Sequence, residues 1–475
     1  MRVVVTPAEM GAIDDDAPEP VEELIERAGW AVAVAAQRLL GRRYGARVLV
    51  IAGKGNNGAD GRSAARYLER IGVRCRIVSP AEATATSSEL QRRRYDLLID
   101  AAYGTGFRGE HVPPVIGDIP VLAVDIPSGV DGLTGRIGGE ALGATETVTF
   151  AALKPGLLFE PGRSLAGHVR VVDIGLDCSR ARAWHLGADD LAASWPTPEP
   201  TTHKWRRAVW VIGGSLGLDG APALAAAGSA RGGAGYVALS TPPEAGPGPV
   251  AGERTSFAPI EAVRLPLSPT TGSDRGWSDT VLDSADRFAA LVIGPGLSVD
   301  DGTGVEVRAV VSATAKRALP LVLDGGAIDA VAADPRVLAD RAVPAVLTPH
   351  DGEFARLVGA APGPDRIAAA RSAAGELQAV VALKGPTTVV AHPDGRALIS
   401  TAGDRRLASA GTGDVLAGLV GAGLAGGLDP FLAAGLGAEL HGRAAQAGFD
   451  RGFVASDLPA LVARSLDDLA ENSDE

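Results

Sequence analysis

Arg47-Val-Leu-Val-Ile-Ala-Gly-Lys-Gly-Asn-Asn-Gly-Ala-Asp-Gly61 joins a short apolar run to a glycine-rich turn, and a helical pattern over residues 59–71 follows. A short continuous apolar run is typical of a buried parallel strand. The order strand, turn and helix predicts a unit of an α/β fold. Three glycines of the turn also satisfy the G-x-G-x-x-G pattern of dinucleotide-binding turns. That match is weak, because no acidic residue ends the next predicted strand, residues 74–78.

Apolar runs of this kind form two series along the chain, interrupted by helical patterns. The runs are residues 48–52, 97–99, 121–124, 147–150 and 169–172, then 208–212, 234–239, 290–293, 321–323, 345–347 and 380–383. Between the series, the segment Trp195-Pro-Thr-Pro-Glu-Pro-Thr-Thr-His-Lys204 contains three prolines within five residues, which neither a helix nor a central strand accepts. We therefore predict two α/β domains, residues 1–198 and 199–475. Residues 242–278, rich in Pro, Gly, Ser and Thr, are predicted to lie outside the sheets.

The composition argues against several classes of function. A formal net charge of -12 with scattered Lys and Arg argues against a nucleic-acid surface. The two cysteines are too few for a disulfide framework or a Cys-rich metal site. The chain starts without a secretory apolar segment, and its longest apolar stretch, residues 415–428, is too short and too rich in glycine to span a bilayer. We expect a cytoplasmic enzyme with a small-molecule partner and no membrane or nucleic-acid partner.

The stretch Ser409-Ala-Gly-Thr-Gly-Asp-Val-Leu-Ala-Gly418 carries the clearest chemical signal. Gly411 and Gly413 flank Thr412, and Asp414 opens an apolar helical run. Backbone N–H groups at a helix N-terminus suit a transferring phosphoryl group. Asp414 is placed to take a proton from an attacking hydroxyl, which is a kinase-like arrangement. The alternative is that Asp414 only caps the helix.

Polar side chains also follow strands in the first half. Asn56, Asn57 and Asp60 occupy the glycine-rich turn, where a plain pyrophosphate turn needs only backbone. These side chains indicate a specific ligand, unless they only adopt left-handed and capping positions.

Two further strand ends are expected at the same edge of the sheet. Asp100 and Asp125 end strands, and Ser128 lies in a Pro-Gly turn. Two carboxylates brought close together repel each other unless a cation or separation relieves the repulsion. A hard cation held by Asn57, Asp100 and Ser128 is one solution, and it leaves Asp125 free for proton transfer.

Together these blocks resemble two known families. The first half resembles the NAD(P)H-hydrate epimerase domain in Thr6-Pro-Ala-Glu-Met10, Glu26-Arg-Ala-Gly29, the glycine-rich turn, the Asp100 strand and Val124-Asp-Ile-Pro-Ser-Gly-Val-Asp131. The second half resembles the ADP- or ATP-dependent NAD(P)H-hydrate dehydratases of the ribokinase-like superfamily. Its matching blocks include Val211-Ile-Gly-Gly-Ser215, Ile293-Gly-Pro-Gly-Leu297, Thr348-Pro-His-Asp-Gly-Glu353, Leu383-Lys-Gly-Pro-Thr-Thr388 and Ala410-Gly-Thr-Gly-Asp-Val-Leu416.

The resemblance implies a fold and a pair of activities. The first domain would be a Rossmann-like three-layer α/β/α fold, and the second a ribokinase-like α/β fold with a largely parallel sheet. The first would epimerise R and S hydrates of NADH and NADPH with K⁺. The second would dehydrate the S form with ADP and Mg²⁺, through phosphorylation of the C6 hydroxyl and elimination of phosphate. ATP remains an alternative to ADP, and the resemblance also implies a homo-oligomer.

The resemblance also implies roles for individual residues. Substrate contacts in the first domain would come from Asn56, Asn57, Gly58, Ala59, Asp60, Gly104, Thr105, Gly106, Phe107, Arg108, Gly109, Glu110 and Asp125, with Asp125 as the acid/base. The potassium ligands would be Asn57, Asp100 and Ser128. In the second domain, Ala221, Gly296, His350 and Asp414 would contact the hydrate. The nucleotide would be bound by Lys384, Gly385, Pro386, Thr387, Thr388, Gly411, Thr412 and Gly413.

Departures from the family patterns and simpler interpretations remain at several positions. Ala59 replaces a usual glycine, and Gly326 replaces a usual aspartate, which puts any contact of that carboxylate in doubt. Lys384 could be a solvated lysine at a strand end, His350 could only bond the backbone, and His441 is predicted to pack in the core. The runner-up function is a ribokinase-like kinase for a vitamin precursor or sugar alcohol. The first domain could also be a non-catalytic binding module.

Overall fold

The computed structural model describes residues 1–42, 44–85, 87–88, 95–115, 117–243, 259–267, 276–298 and 300–471. Beyond Met1, the chain divides into two compact units, Arg2–Ala183 and Trp184–Glu475. This division lies N-terminal to the boundary that the prolines suggest. Trp195 explains the difference, because it is buried in the hydrophobic core of the second unit and its indole N–H donates to the Gly232 carbonyl at 3.1 Å. The start of the proline-rich segment therefore packs as part of that unit.

The first unit has a parallel sheet. The strands of this unit are β1 (Arg2–Val4), β2 (Arg47–Ala52), β3 (Arg74–Val78), β4 (Leu97–Ala101), β5 (Val121–Val124), β6 (Glu146–Phe150) and β7 (His168–Val172). Its helices are α1 (Pro7–Asp15), α2 (Val21–Leu40), α3 (Asn56–Arg70), α4 (Pro80–Ala85) and α5 (Gly162–Leu165). Six of the strands form one sheet in the order β3-β2-β4-β5-β6-β7, and every pair is parallel.

The side chains of β2 explain the layers of the first unit. Val48 and Val50 belong to a core that includes residues of α2 and α3, whereas Leu49 and Ile51 belong to a core that includes Ala83 of α4. Successive side chains of a strand point to opposite faces, so the sheet is covered on both. The three-layer α/β/α prediction is confirmed.

The second unit is built on a larger sheet. Its strands are β8 (Ala183–His185), β9 (Ala208–Ile212), β10 (Tyr236–Ser240), β11 (Val263–Arg264), β12 (Ala290–Ile293), β13 (Leu321–Leu323), β14 (Val346–Leu347), β15 (Val380–Leu383), β16 (Thr388–Ala391) and β17 (Ala397–Ser400). They follow the order β8-β17-β16-β15-β14-β13-β12-β9-β10-β11. The pairs from β11 to β15 are parallel, and β16 pairs antiparallel with both β15 and β17.

One helix of the second unit carries the G-T-G-D turn at its start. The helices are α6 (Ala188–Ser194), α7 (Gly220–Arg231), α8 (Trp277–Ser284), α9 (Asp301–Thr314), α10 (Gly326–Ala332), α11 (Asp351–Val358), α12 (Arg366–Leu377), α13 (Thr412–Ala425), α14 (Pro430–Gln446) and α15 (Leu458–Glu471). Almost every residue of α13 is buried, as expected for a helix that is apolar on all sides. Within the described ranges, no helix is both long and apolar enough to cross a membrane.

Two features of the second sheet differ from the sequence prediction. The antiparallel hairpin of β16 and β17 was not predicted, because nothing in a short apolar run specifies the direction of its partner. The segment 242–278, predicted to lie outside the sheets, contains β11, whose Arg264 pairs with Leu239 of β10. This prediction was wrong there because an edge strand of two residues leaves no periodic signal. Residues 244–258 and 268–275 lie outside the described residues.

Candidate active sites

A cavity of about 1040 Å³ opens at the carboxyl edge of the first sheet. Residues at or just after the ends of six strands line it: Ala52, Ser79, Ala102, Asp125, Phe150 and Ile174. This edge of a parallel sheet is where α/β folds bind ligands, since the loops after the strands converge there. The cavity is also large enough for a nucleotide-sized molecule.

The glycine-rich turn brings the start of α3 to this cavity. A Cβ at Gly53 would lie 2.0 Å from the Ala102 carbonyl oxygen, and a Cβ at Gly58 would lie 2.0 Å from the carbonyl oxygen of Gly53. Both positions therefore exclude a side chain, which accounts for two of the three glycines of the pattern. Gly55 precedes α3 and offers no side-chain cap, so the N-terminus of the helix is open to an anion.

Of the three predicted potassium ligands, Asp100 and Ser128 are bonded to each other, whereas Asn57 has no such partner in the described part of the chain. Ser128 donates to Asp100 twice, from its hydroxyl at 2.6 Å and from its backbone N–H at 2.9 Å. Both polar atoms of the Asn57 amide are buried and lack a hydrogen-bond partner among the described residues. A buried amide of this kind is costly unless a ligand or ion satisfies it, so the Asn57 oxygen fits a cation that the structure does not include.

Asp125 lies in the cavity wall with an unusual backbone. Its φ is 66°, in the left-handed region, and its N–H donates to the Val148 carbonyl at 2.7 Å. The Oδ1 atom lies 2.8 Å from Nζ of Lys154 and accepts from the Thr149 hydroxyl at 3.0 Å. Burial alone would raise the pKa of Asp125, but the Lys154 ammonium and the hydrogen bonds outweigh it and lower the pKa below its ordinary value.

Two other carboxyl groups, Asp60 and Asp14, line the same cavity but have different surroundings from Asp125. Burial, and after it the charges of Asp125 and Asp14, raise the pKa of Asp60 to about 8. Burial also raises the pKa of Asp14, partly offset by Lys154. The cavity therefore places an ionised carboxylate, Asp125, near a carboxyl group that holds its proton at neutral pH, Asp60. A pair of carboxyl groups in opposite ionisation states is suited to acid–base catalysis.

In the second unit, charged side chains meet at the carboxyl ends of the central strands. Asp324 follows β13 and Lys384 follows β15. Nζ of Lys384 lies 2.9 Å from Oδ1 of Asp324 and 3.5 Å from Oε2 of Glu353. Burial would lower the pKa of Lys384, but these two carboxylates outweigh it and raise the pKa. The Thr348 hydroxyl donates to Asp324 at 2.6 Å and completes the cluster.

The G-T-G-D turn begins α13 beside this cluster. Gly411 has a φ of 93°, which favours glycine, and no side chain from the described chain caps the helix. The Thr412 hydroxyl donates to the Leu407 carbonyl at 2.8 Å, so this side chain is already bonded within the turn. A Cβ at Gly413 would lie 3.3 Å from Nζ of Lys384, which places the helix start against the lysine.

Asp414, in the first turn of α13, forms no ion pair with a cation of the described residues. Burial is the largest cause that raises its pKa to about 7, and the charge of Asp324 raises it further than Lys384 lowers it. A carboxyl group with a pKa near neutrality is suited to general-base catalysis.

Comparisons with known proteins find matches for both halves of the chain. Residues 21–89 and 74–156 match a family model described as YjeF-related protein N-terminus, and residues 209–467 match one described as NAD(P)H-hydrate dehydratase. A bifunctional NAD(P)H-hydrate repair enzyme from Moorella thermoacetica is 38% identical over 98% of this chain and 97% of its own length. The chain belongs to the family of bifunctional NAD(P)H-hydrate repair enzymes. An Escherichia coli member is 33% identical over 88% of this chain and 84% of its own length.

A solved structure supports the fold of the second half of this repair-enzyme chain. A ribokinase-like superfamily protein from Enterococcus faecalis has a TM-score of 0.50 and 21% identity, and the match covers 61% of this chain and 97% of that one. The predicted ribokinase-like α/β fold is confirmed.

The structure brings most of the predicted first-domain residues together. The cavity is lined by Asn56, Asn57, Asp60, Gly104, Thr105, Gly106, Phe107, Arg108 and Asp125. Gly58, Ala59, Gly109 and Glu110 are not part of its lining, and neither are the Asp100 and Ser128 pair. Ala59 lies inside α3, where alanine is the most favourable residue, so its replacement of glycine is compatible with the helix.

The predicted second-domain residues lie at several helix starts and strand ends. A Cβ at Gly296 would lie 2.9 Å from the Cβ of Ala221, so these two residues are adjacent. Lys384, Gly385, Pro386, Thr387 and Thr388 form the connection from β15 to β16. His350 caps α11, with Nδ1 accepting from the Gly352 N–H at 3.0 Å, while its side chain is 58% exposed. The simpler interpretation of His350, a hydrogen bond to the backbone, is thus observed. A contact between His350 and the hydrate stays a prediction.

Gly326 has a packing reason of its own. A Cβ there would lie 2.1 Å from the Leu297 carbonyl oxygen. This backbone therefore has no room for the aspartate of the usual family pattern.

Three residues of the sites were missed or given no role. Lys154 was missed, because a lysine within an apolar stretch gives no sign of its partner. Glu353 was missed although its spacing from His350 is that of a capping box, and it accepts the His350 N–H at 2.7 Å. His441, predicted to pack in the core, is buried, and its Nε2 lies 2.9 Å from the Thr412 carbonyl oxygen.

Proposed function

We propose that this chain repairs hydrated NADH and NADPH, with the dehydration in the second unit and the epimerisation in the first. The observation that carries the proposal is Asp414, a carboxyl group with a pKa near neutrality beside the uncapped start of α13. A base next to an anion-binding helix terminus is what transfer of a phosphoryl group to a hydroxyl requires.

The proposed dehydration has two balanced steps. The C6 hydroxyl of the S hydrate attacks the terminal phosphorus of the nucleotide, and Asp414 takes the hydroxyl proton. The bond between that phosphorus and its bridging oxygen breaks, so AMP leaves when ADP is the donor. Backbone N–H groups of Gly411 to Gly413 stabilise the transferring phosphoryl oxygens. The phosphate then leaves with the electron pair of the C6–O bond, and a proton lost from C5 restores the double bond. Phosphorylation matters because hydroxide is a poor leaving group.

The nucleotide in this proposal is ADP, with ATP as the alternative donor. The connection Lys384 to Thr388 and the turn Gly411 to Gly413 are proposed to hold its phosphates. Within the described part of the chain, no group of three or more His, Cys, Asp or Glu could hold a metal. Mg²⁺ is therefore proposed to come with the nucleotide and to neutralise its phosphate charge, as is usual for this ion.

In the first unit we assign the acid/base role to Asp125 and the potassium ligands to Asn57, Asp100 and Ser128. The orphaned Asn57 amide supports the potassium assignment. The ion would supply positive charge for the bound substrate. The alternative of a non-catalytic binding module is less favourable, because the first unit has a nucleotide-sized cavity that contains one ionised and one protonated carboxyl group.

The proposal is tested on the full chain with separate R and S hydrates. With S hydrate, ADP and Mg²⁺, we expect free phosphate and a reduced cofactor that absorbs in the near ultraviolet, in equal amounts. With R hydrate, the same product should form only as fast as the first unit supplies S hydrate, and faster in K⁺ than in Na⁺. A stable phosphorylated product would favour the kinase alternative. Equal rates for R and S in both salts would contradict the assigned division of labour.

A further inference from the structure

Lys154 is the most deeply buried charged side chain near the first site. It follows β6 and is 1% exposed, yet it belongs to the wall of the cavity. An ammonium group in such a position is costly unless all three of its hydrogens have partners.

All three hydrogens of the Lys154 ammonium have an acceptor within hydrogen-bond distance. Nζ lies 2.8 Å from Oδ1 of Asp125, 2.9 Å from the Thr149 hydroxyl and 2.9 Å from the Phe150 carbonyl oxygen. Thr149 also donates to the same Oδ1 of Asp125 at 3.0 Å. The ammonium therefore cannot turn to another partner without losing a bond, and its direction toward Asp125 is set.

Four other charged side chains line the cavity: Asp14, Lys54, Asp60 and Arg108. Asp14 and Asp60 supply no positive charge that could stabilise the ionised form of Asp125. Among the described residues, neither of them has an ion pair like that of Asp125. Lys54 and Arg108 are exposed, and Arg108 lies 3.5 Å from Asp131. Lys154 is thus the cation that decides which carboxyl group of the cavity carries the charge.

We propose that Lys154 is a positioning residue for the first activity, which holds the Asp125 carboxylate ionised and directed into the cavity so that it accepts the substrate proton at neutral pH. This inference rests on the proposed epimerisation. Lys154 needs no contact with the substrate, because its hydrogens are already used.

The test compares Lys154→Met with Lys154→Arg in the full chain. Methionine keeps much of the apolar volume but removes the charge, whereas arginine keeps the charge. The rate of R to S conversion is measured from about pH 5.5 to about pH 8 and expressed as the ratio of variant to wild-type kcat at each pH. Taking this ratio cancels any titration that the two proteins share.

For Lys154→Met we expect the ratio to fall by about tenfold or more near pH 6 and to rise as the pH increases, because Asp125 without its cation ionises only at higher pH. For Lys154→Arg we expect a ratio that is independent of pH. The KM for R hydrate should change little in both variants. A Lys154→Met ratio that is the same at every pH would mean a purely architectural role and would overturn the inference.

Two controls keep the outcome clear. Dehydration of S hydrate by the same samples reports the second unit, and wild-type conversion of R hydrate tests the proposed function separately. If Lys154→Met does not fold, the inference is tested with Thr149→Val instead. This near-isosteric change removes one hydrogen bond to Asp125 and one acceptor of Lys154, so a pH-dependent loss of about two- to fivefold near pH 6 is expected. A pH-independent ratio for Thr149→Val would then overturn the inference.

Discussion

Each unit contains a lysine beside the carboxyl group proposed to move the proton, but the two lysines act differently. In the first unit, Lys154 is bonded to the proposed acid/base itself, Asp125, and the pKa of that carboxyl group is lowered. In the second unit, Lys384 is bonded to Asp324 and Glu353, and the proposed base Asp414 has a pKa raised to about 7.

The comparison shows that the bonding partner of the cation determines the state of the nearby carboxyl group. A direct ion pair stabilises the charged form of Asp125 against burial. Lys384 is near Asp414 as well, but two other carboxylates neutralise it, so burial dominates at Asp414. The first site therefore keeps a charged group at all ordinary pH values, while the second keeps a group that ionises close to neutrality.

The largest expected effect separates the two activities. Asp414→Asn should lower nucleotide-dependent dehydration by about 10²- to 10⁴-fold and leave epimerisation unchanged, since asparagine cannot take the hydroxyl proton. Asp125→Asn should instead lower epimerisation and leave nucleotide-dependent dehydration unchanged. Both rates are measured by chromatography of R hydrate, S hydrate and reduced cofactor. Near-normal dehydration by Asp414→Asn would remove the assignment of the base.

The same two substitutions should change stability in opposite directions. Asp125→Asn leaves the buried Lys154 without its counter-charge and should cost about 3–5 kcal/mol at neutral pH. Asp414→Asn should stabilise the protein at pH 8 by about 1–2 kcal/mol, a value discounted for the partial exposure of the carboxyl group.

The pH dependence of these stability changes follows from the two pKa shifts. The folded pKa of Asp414 is raised to about 7, so the unfolded chain ionises first and stability is lost as the pH rises from about 4 to about 7. The gain from Asp414→Asn should therefore shrink as the pH falls below about 7 and vanish near pH 4. The pKa of Asp125 is lowered, so its contribution is present above the unfolded pKa and is lost only in acid. Thermal unfolding of the full chain from about pH 4 to about pH 8 follows the change for Asp414→Asn, and the cost of Asp125→Asn should stay nearly constant over this range. A loss of stability for Asp414→Asn at pH 8 would contradict the comparison.

The smallest expected effect is a difference in the pH profiles of the two activities. Dehydration of S hydrate should fall by about tenfold for each pH unit below about 7, because only ionised Asp414 accepts a proton. Epimerisation should change little between about pH 5.5 and 7, because Asp125 stays ionised and Asp60, with a pKa of about 8, stays protonated. The two initial rates are measured in one buffer series. Parallel acid limbs would contradict the difference between the two lysines.

Local patterns in the sequence predicted much of the fold. The strands β5, β9, β12, β13 and β15 have the predicted bounds, because each is a short buried apolar run that is ended by a turn or a polar residue. The hairpin of β16 and β17 and the edge strand β11 could not be predicted in this way, because strand direction and edge pairing depend on distant neighbours. The burial of Trp195 in the core of the second unit could not be predicted either, because it depends on distant residues and not on the neighbouring prolines.

By itself, the sequence determined the fold class, the family and the chemical types present at each strand end, because motifs and apolar periodicity are local properties. It identified Asp125 and Asp414 as candidates for proton transfer from the motifs in which they lie. Only the tertiary structure decided which cation each carboxyl group meets, since Lys154 and Lys384 bond to carboxylates that follow other strands of their sheets. The pKa of a buried group depends on distances between side chains that are remote in sequence, so the opposite states of the two carboxyl groups are properties of the folded chain.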